Sequence, residues 1–586
     1  MPSFSNQKLE TSFQTALGAT PEELEKSGSL SFGFSPATNV WEIIVRYTGD
    51  LKTALLPYPS VTFYELLGGY AILYVPALLI DTISDLPNII YVEKPNALFF
   101  EVYDAKRVSC ISSVQSANPT AYSGKGVLVG IIDSGIDYMH PDFRNQDGST
   151  RIVTLWDQTL DPPVSGPDAA LFPSAVYTSE TINAAIRAAT PEERFALCPS
   201  VDLSGHGTHV AGIAAGNGSA SAGLFRGVAY EASLLVVKLG APYALGFPST
   251  TLLMRAIDFC IRESLRLGMP LALNLSFGNT YGSHSGTSLL ETYLNFAAAQ
   301  NQCSISVGSG NEGAGDGHTG GMLTFDQPQS VEFAVSDYSA SLSIQLWKVY
   351  EDDLLISVTG PTPGTSFLLS PRSGISRHRL GRTNVLVNYG EPSPYSIFQE
   401  IYMDFTPELD YLDAGIWSIT LIPRAIQNGT WEMWMPASAV RNSGTRFLTS
   451  TVATTLTIPS TASAAITVGA YDSATDQLAA FSGRGNTWGT DQRKPDLVAP
   501  GVEITSCAPG GGYTERTGTS MATPFVTGCC ACMMQWGIID ANDPFLYGEK
   551  LKAYLRKGAR TLPAFPFYPN PATGWGALCL KDSFPL

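Results

Sequence analysis

Three widely separated segments carry the side-chain types of an activated serine: Ile131-Ile132-Asp133-Ser134-Gly135, Ser204-Gly205-His206-Gly207-Thr208 and Gly518-Thr519-Ser520-Met521-Ala522. A serine hydroxyl is a poor nucleophile until a histidine takes its proton, and that histidine needs a carboxylate to fix its tautomer and stabilise its cation. Ser520 is therefore the candidate nucleophile, His206 the base and Asp133 the orienting carboxylate. Taken singly, Asp133 could be a turn residue and Ser520 a helix N-cap. A strand-end aspartate and a glycine-framed histidine in the same α/β pattern outweigh those readings. Asp137, beyond the Gly135 turn, is expected to face solvent, and His209, one helical turn past His206, is expected to be structural.

Acyl transfer also needs donors aimed at the developing oxyanion. Val307-Gly308-Ser309-Gly310-Asn311-Glu312 places an amide side chain on a glycine-rich turn after a strand, so Asn311 is the candidate partner of the Ser520 backbone N–H. Asn274 lies mid-strand and reads as structural. This chemistry needs no metal or cofactor, and no dense Asp/Asn loop of the calcium-binding kind stands out.

The elements that would position these groups are legible from periodicity. Gly126 to Ile132 is an unbroken apolar run, as in a central parallel strand covered on both faces. Similar strands follow at Leu234–Val237 and Leu271–Leu275, with helical patterns at Thr208–Ala215 and Thr251–Leu267. Alternation of this kind implies a parallel α/β sheet. After about Gly321 the pattern changes to short alternating strands such as Val331–Val335, Ser341–Trp347 and Gly415–Leu421, which favours an antiparallel sandwich or jelly roll. Its Trp431 and Trp434 are expected in the core rather than as sugar platforms. The α/β pattern resumes near Pro459. Ahead of everything, residues 40–93 read as a small α+β unit: strands at Trp41–Tyr47, Val61–Leu66 and Tyr70–Val75, a helix at Ala77–Leu86, and a strand at Ile89–Glu93.

Composition bounds the partners. The 586-residue chain, with 44% hydrophobic and 15% charged residues, is that of a multidomain, globular, soluble protein. Its 35 Lys and Arg against 52 Asp and Glu give a net charge of −17, which argues against nucleic acid as a partner. Neither a secretory signal nor a membrane span is evident. The nine cysteines include no C-x-x-C pair flanking Cys529, Cys530 and Cys532, and all are expected to be free, buried thiols.

The Asp133, His206, Asn311 and Ser520 segments, in that order, resemble the motifs of the subtilase family of serine proteases, over roughly residues 122–321 and 456–580. The resemblance implies a serine endopeptidase with an α/β fold: a subtilisin-like parallel sheet covered by helices on both faces. It also implies protein or peptide substrates. Asn274-Leu275-Ser276-Phe277-Gly278-Asn279 matches the family's substrate-pairing strand, which makes Ser276 and Gly278 the substrate-contact candidates. Phe525 departs from the histidine common in the family, and the stretch between Asn311 and Ser520 is expanded by the β-rich insert. A long insert behind an N-terminal unit resembles the Csp proteases of spore-forming clostridia, which act in germination, so a cytoplasmic or spore-associated location is one expectation. Some Csp relatives have a broken triad and are catalytically silent; this chain keeps all three residues.

By the same likeness the N-terminal α+β unit resembles a subtilase prodomain, a chaperone and inhibitor whose tail lies in the active-site cleft. The expected division is residues 1–101 as prodomain, 102–321 and 456–586 as the two parts of the protease domain, and 322–455 as an inserted antiparallel β-sandwich or jelly roll. Autoprocessing is expected between about Ala97 and Val102, close to the Glu101–Val102 bond. Glu312, beside the oxyanion segment, is a candidate for favouring basic or polar side chains before the cleaved bond.

Overall fold

A computed structural model of the chain describes residues 8–9, 11–18, 21, 33–36, 38–66, 69–94, 106–116, 121–160, 175–239, 248–369, 374–392, 396–485, 487–490 and 492–585. The chain divides into two compact units, Met1–Phe100 and Glu101–Leu586.

In the first unit, Val40–Tyr47 is the hub of a five-stranded sheet, flanked by Tyr70–Pro76 and Ile89–Glu93, with Thr62–Leu66 beyond Tyr70–Pro76. All these pairings are antiparallel. Alternate residues of the hub strand, Trp41, Ile43 and Val45, point into a core shared with Leu73, Val75, Ile80, Ile83 and Phe13. The expected helix after Val75 is split into a short 3-10 turn, Ala77–Leu79, and a single α-helical turn, Ile80–Ser84. Helices at Thr11–Gly18 and Leu51–Leu55 were not anticipated.

The second unit is built on a nine-stranded sheet. Its strands are β1 (Leu128–Asp133), β2 (Ile152–Asp157), β3 (Val176–Thr178), β4 (Ser233–Lys238), β5 (Leu271–Leu275), β6 (Cys303–Gly308), β7 (Ile466–Asp472), β8 (Gln477–Leu478) and β9 (Leu497–Pro500). Their order is β8-β7-β6-β5-β1-β4-β2-β3, with β9 also paired to β7. The β3 and β8 pairings are antiparallel and the others parallel. Every residue of β1 is buried, as its unbroken apolar run requires. Val129 and Ile131 join a core with helices α1 (His206–Ala215), α4 (Thr519–Met534) and α5 (Gly548–Gly558). Leu128 and Ile132 face the opposite core, with α2 (Thr250–Leu267) and α3 (Leu289–Ala298). Helices therefore cover both faces.

Between β6 and β7 the antiparallel strands run from His318 to Phe447 and form a six-stranded and a five-stranded sheet. Phe333, Leu346, Ile356, Val387, Phe405, Trp417 and Trp431 fill the core between them. Trp434 is also buried, stacked against His284 of the protease segment at 4.2 Å. Both tryptophans are thus packed rather than displayed.

One expectation fails. Cys110 and Cys579 form a disulfide across 469 residues of sequence. Only the fold brings their Cα atoms to 4.8 Å, and no spacing rule reaches across such a distance. The other seven cysteines are free and buried, as expected. Among the described residues one helical stretch, Thr519–Ile539, is long and apolar enough to cross a bilayer, and most of it is buried in the core instead.

Candidate active site

Because parallel strands all end on the same side, the C-terminal edge of the sheet gathers the ends of β1, β5 and β6. Asp133 is the last residue of β1 and is fully buried. Its Oδ1 lies 2.7 Å from His206 Nδ1 and accepts the Ser134 N–H at 2.7 Å. Its Oδ2 is buried without a hydrogen-bond partner among the described residues. His206 opens α1, and its side chain is a quarter exposed. Burial opposes the charged imidazolium, but the Asp133 charge and hydrogen bond outweigh it, so the His206 pKa stands above its ordinary value. Arg516 pulls it down and Asp202 pushes it up, both more weakly.

Two glycines make this placement possible. Gly205 adopts φ +68°, a left-handed conformation that suits glycine. At Gly207 a Cβ would lie 2.1 Å from the Gly135 carbonyl oxygen, so only glycine lets α1 approach the β1 turn. Just ahead of the histidine motif stands a further organiser whose role was not read, Asp202. Its Oδ1 accepts from Ser134 Oγ (2.8 Å) and Gly205 N (2.9 Å), and its Oδ2 from Thr208 N (2.9 Å) and Thr208 Oγ1 (2.7 Å). Ser134 Oγ in turn accepts from Gly207 N at 2.9 Å. Asp202 and Ser134 thus tie the end of β1 to the first turn of α1. An acidic residue four positions before the histidine, near a helix start, was the available signal.

Ser520 is the second residue of α4, so its backbone N–H has no intrahelical acceptor. Its Oγ donates to the Ser276 carbonyl at 3.4 Å, and Ser276 Oγ returns a 3.5 Å bond to the Ser520 carbonyl. That carbonyl is available because Pro524, four residues on, has no N–H to offer it. Asn311 is exposed on the turn after β6. Its Oδ1 accepts from Thr519 N at 3.0 Å and Thr519 Oγ1 at 3.1 Å, which leaves Nδ2 free to donate elsewhere. Phe277 lies 6.3 Å from the His206 ring, between centroids. The structure thus pairs Asp133 with His206, ties Ser520 to Ser276 and ties Asn311 to Thr519; among the described residues no hydrogen bond joins His206 to Ser520, whose hydroxyl is turned to the Ser276 carbonyl.

Gly278 meets the insert's return segment: a Cβ there would stand 2.4 Å from Thr457 Oγ1, and Asn279 pairs with Ile458. Glu312 is turned toward the insert, where Ser438 N (3.0 Å) and Ser438 Oγ (2.9 Å) donate to its carboxylate. Asp137 is only half-exposed and accepts from Met139 N and Gly510 N. His209 Nε2 lies 2.9 Å from the Ile504 carbonyl, and burial pushes its pKa down to about 4, as befits a structural histidine. Asn274 bonds Ser276 Oγ and Thr527 Oγ1, a structural role. Glu101 and Val102 lie outside the described residues.

Residues 124–347 and 427–576 match the subtilase family profile, and residues 7–96 match that of the Csp protease B prodomain. The chain is similar to the solved CspB protease of Clostridium perfringens, with 36% identity and a TM-score of 0.75 over 82% of this chain and 96% of that one. It is 25% identical to the minor extracellular protease Vpr of Bacillus subtilis over 79% of this chain. It is 26% identical to the PII-type proteinase of Lactococcus lactis subsp. cremoris over 74% of this chain. The chain spans 52% of Vpr and 24% of the lactococcal proteinase.

Proposed function

The chain belongs to the subtilase family, and on that footing we propose that it is a serine endopeptidase that hydrolyses peptide bonds of protein substrates through an acyl-enzyme on Ser520. The observation that carries this reading is the 2.7 Å Asp133–His206 pair at the end of β1, on the sheet edge where Ser520 is anchored to Ser276. Asp133 holds the His206 proton on Nδ1, which leaves Nε2 as the acceptor for the Ser520 hydroxyl proton. Ser520 Oγ then attacks the substrate carbonyl. Asn311 Nδ2 and the Ser520 N–H donate to the oxyanion, and His206 returns the proton to the leaving amine. Ser276 and Gly278 offer extended backbone beside which a substrate strand can lie.

The N-terminal unit, residues 1–101, acts in this reading as a prodomain that folds the protease and then occupies its cleft, a role that the 7–96 match supports. The enzyme cuts its own chain at Glu101–Val102. Residues 102–321 and 456–586 make the protease domain, and 322–455 an insert that braces it. The likeness to the CspB protease supports a place among spore germination proteases. A fluorophosphonate probe tests the catalytic claim: labelling of wild type but not of Ser520→Ala is expected, and absence of labelling in a folded wild-type chain would leave a silent scaffold instead.

A further inference from the structure

At the opposite, N-terminal end of the parallel strands lies a polar cavity of about 430 Å³, lined by Ser463, Gln492, Arg493, Glu549, Lys552, Arg556 and Trp575. Ser463 precedes β7, and the Gln492–Asp496 segment precedes β9. Lys552 and Arg556 project from one face of α5, one helical turn apart. Beneath them sits Asp496, fully buried, whose Oδ2 takes Lys494 Nζ (2.8 Å) and Thr467 N (2.7 Å). Its Oδ1 takes Arg556 through Nε at 2.7 Å and through Nη2. Asp496 is thereby saturated.

What remains is a surplus of positive charge. Four cationic side chains, Arg493, Lys494, Lys552 and Arg556, surround two carboxylates, Asp496 and Glu549. Glu549 is only a weak partner: its side chain is 65% exposed and lies 3.3 Å from Lys552 Nζ. Lys552 itself is buried to 3% exposure; besides Glu549 it donates to the Ser463 carbonyl and stands 3.9 Å from Asp496 Oδ1. Arg556 Nη1 and the whole Arg493 guanidinium make no hydrogen bond or ion pair among the described residues. The Arg556 guanidinium carbon lies over the Trp575 ring, 3.9 Å from its centroid, a cation–π contact that helps hold it at the cavity wall. A chain of net charge −17 has no shortage of carboxylates to neutralise such a group, yet two cations and a buried lysine are concentrated on one wall. Burial pushes the Lys494 ammonium down to about 8 against the pull of Asp496, and the charges of Lys552 and Arg556 add to that fall.

We propose that this cavity is a binding site for a small oxyanion carrying two or more negative charges, a phosphate monoester or a dicarboxylate, held by Arg493, Arg556 and Lys552 beside Trp575. Guanidinium edges match carboxylate and phosphate oxygens, and the volume falls within the range of small-molecule sites. The ligand would bridge α5 to the segment that enters β9, so binding would stiffen the edge of the sheet that ends in β9.

The test uses the full chain carrying Ser520→Ala, so that it stays uncut. Inorganic phosphate and succinate are titrated separately at constant ionic strength, with heat release and tryptophan fluorescence as readouts and chloride as the control. Saturable binding of at least one probe is expected. Arg493→Ala should weaken it by about tenfold or more, the loss of one charged hydrogen-bonding group, and Arg493→Lys should recover part of the loss. Trp575→Phe should keep the binding heat and lose the fluorescence change, which ties the signal to this cavity. Absence of saturation by both probes up to about 10 mM, the range of a single weak ion-pair contact, would overturn the proposal. Equal affinity in Arg493→Ala and its parent would overturn it as well. Both results are independent of whether Ser520 is a nucleophile.

Discussion

Thr519 holds the Asn311 side chain from two sides: its N–H and its hydroxyl both donate to Asn311 Oδ1, at 3.0 and 3.1 Å. The residue that precedes the candidate nucleophile therefore sets the orientation of the candidate oxyanion donor, and one helix end positions both. Asn311→Ala should lower kcat by about two to three orders of magnitude with little change in KM, because the lost bond forms only as the oxyanion develops. Thr519→Val, which keeps the N–H but removes the hydroxyl, should cost less. Steady-state kinetics on a peptide substrate decide it, and a raised KM with kcat unchanged would place Asn311 in ground-state binding instead.

The Asp133–His206 pair predicts the pH profile. Since the His206 pKa is raised above the ordinary 6.5, the neutral base is regained only at higher pH, and the acid limb of kcat/KM should lie above that value. Asp133→Asn should lower kcat by about four orders of magnitude through the wrong tautomer. The stability term has the opposite course. The imidazolium–carboxylate attraction is fully present below the unfolded-state pKa and is lost as pH rises through the raised folded one. Urea midpoints of wild type and Asp133→Asn should thus differ most in mild acid and converge toward alkaline pH.

Asp202 offers a test of positioning. Removing its carboxylate strands the Thr208 and Gly205 N–H groups and the Ser134 and Thr208 hydroxyls. Asp202→Ala is expected to cost about 3 kcal/mol by denaturant titration and to lower kcat as His206 loses its anchored turn. Asp202→Asn, which keeps an acceptor oxygen, should recover part of both. A stability loss with unchanged kcat would make the residue purely structural.

The candidates Asp133, His206, Ser520 and Asn311 could be singled out in the sequence because each sits where local chemistry is distinctive: a carboxylate closing a buried strand, a histidine between glycines, a serine opening a helix, an amide after a strand. Strand identity was equally plain, since β1 is apolar up to its closing Asp133 and the insert alternates with period two. Relationships set by tertiary approach were not legible. Cys110 and Cys579 meet only in the folded chain, and Glu312 finds Ser438 only because the insert folds back on the oxyanion turn. Asp202 lies only four residues before His206, but its donors from Ser134, Gly205 and Thr208 are gathered only once β1 and α1 are in contact.

The insert should behave as one resistant body. Its two sheets close over a continuous apolar core that includes Phe333, Phe405 and Trp417. Limited trypsin digestion is expected to spare residues 318–447, and Trp417→Ala, which empties a large buried volume, should open that region to cleavage. Ready cutting of the wild-type insert with both flanks intact would make it a linker.

Autoprocessing can be read by intact mass. Wild-type protein should show a cut near Glu101–Val102, and Ser520→Ala should keep the full 586 residues. Identical nicking of both chains would assign the cut to another protease. An uncut wild type that still cleaves peptides would show that the N-terminal unit is retained by design.

The Cys110–Cys579 bond makes residues 110–579 a closed covalent ring that contains Asp133, His206, Asn311 and Ser520. A protease is constantly exposed to copies of itself, and a single nick in any loop of an open chain would allow a piece carrying one of these groups to diffuse away. In a ring the first nick only linearises the backbone, and both halves stay joined through the sulfurs. The proposed Glu101–Val102 cut lies outside the ring, so maturation there would sever the N-terminal segment while a single stray self-cut within the ring would shed nothing. Damage and maturation would therefore part company under reducing conditions: dithiothreitol should release internal fragments from a nicked enzyme, yet leave the fate of the N-terminal piece unchanged.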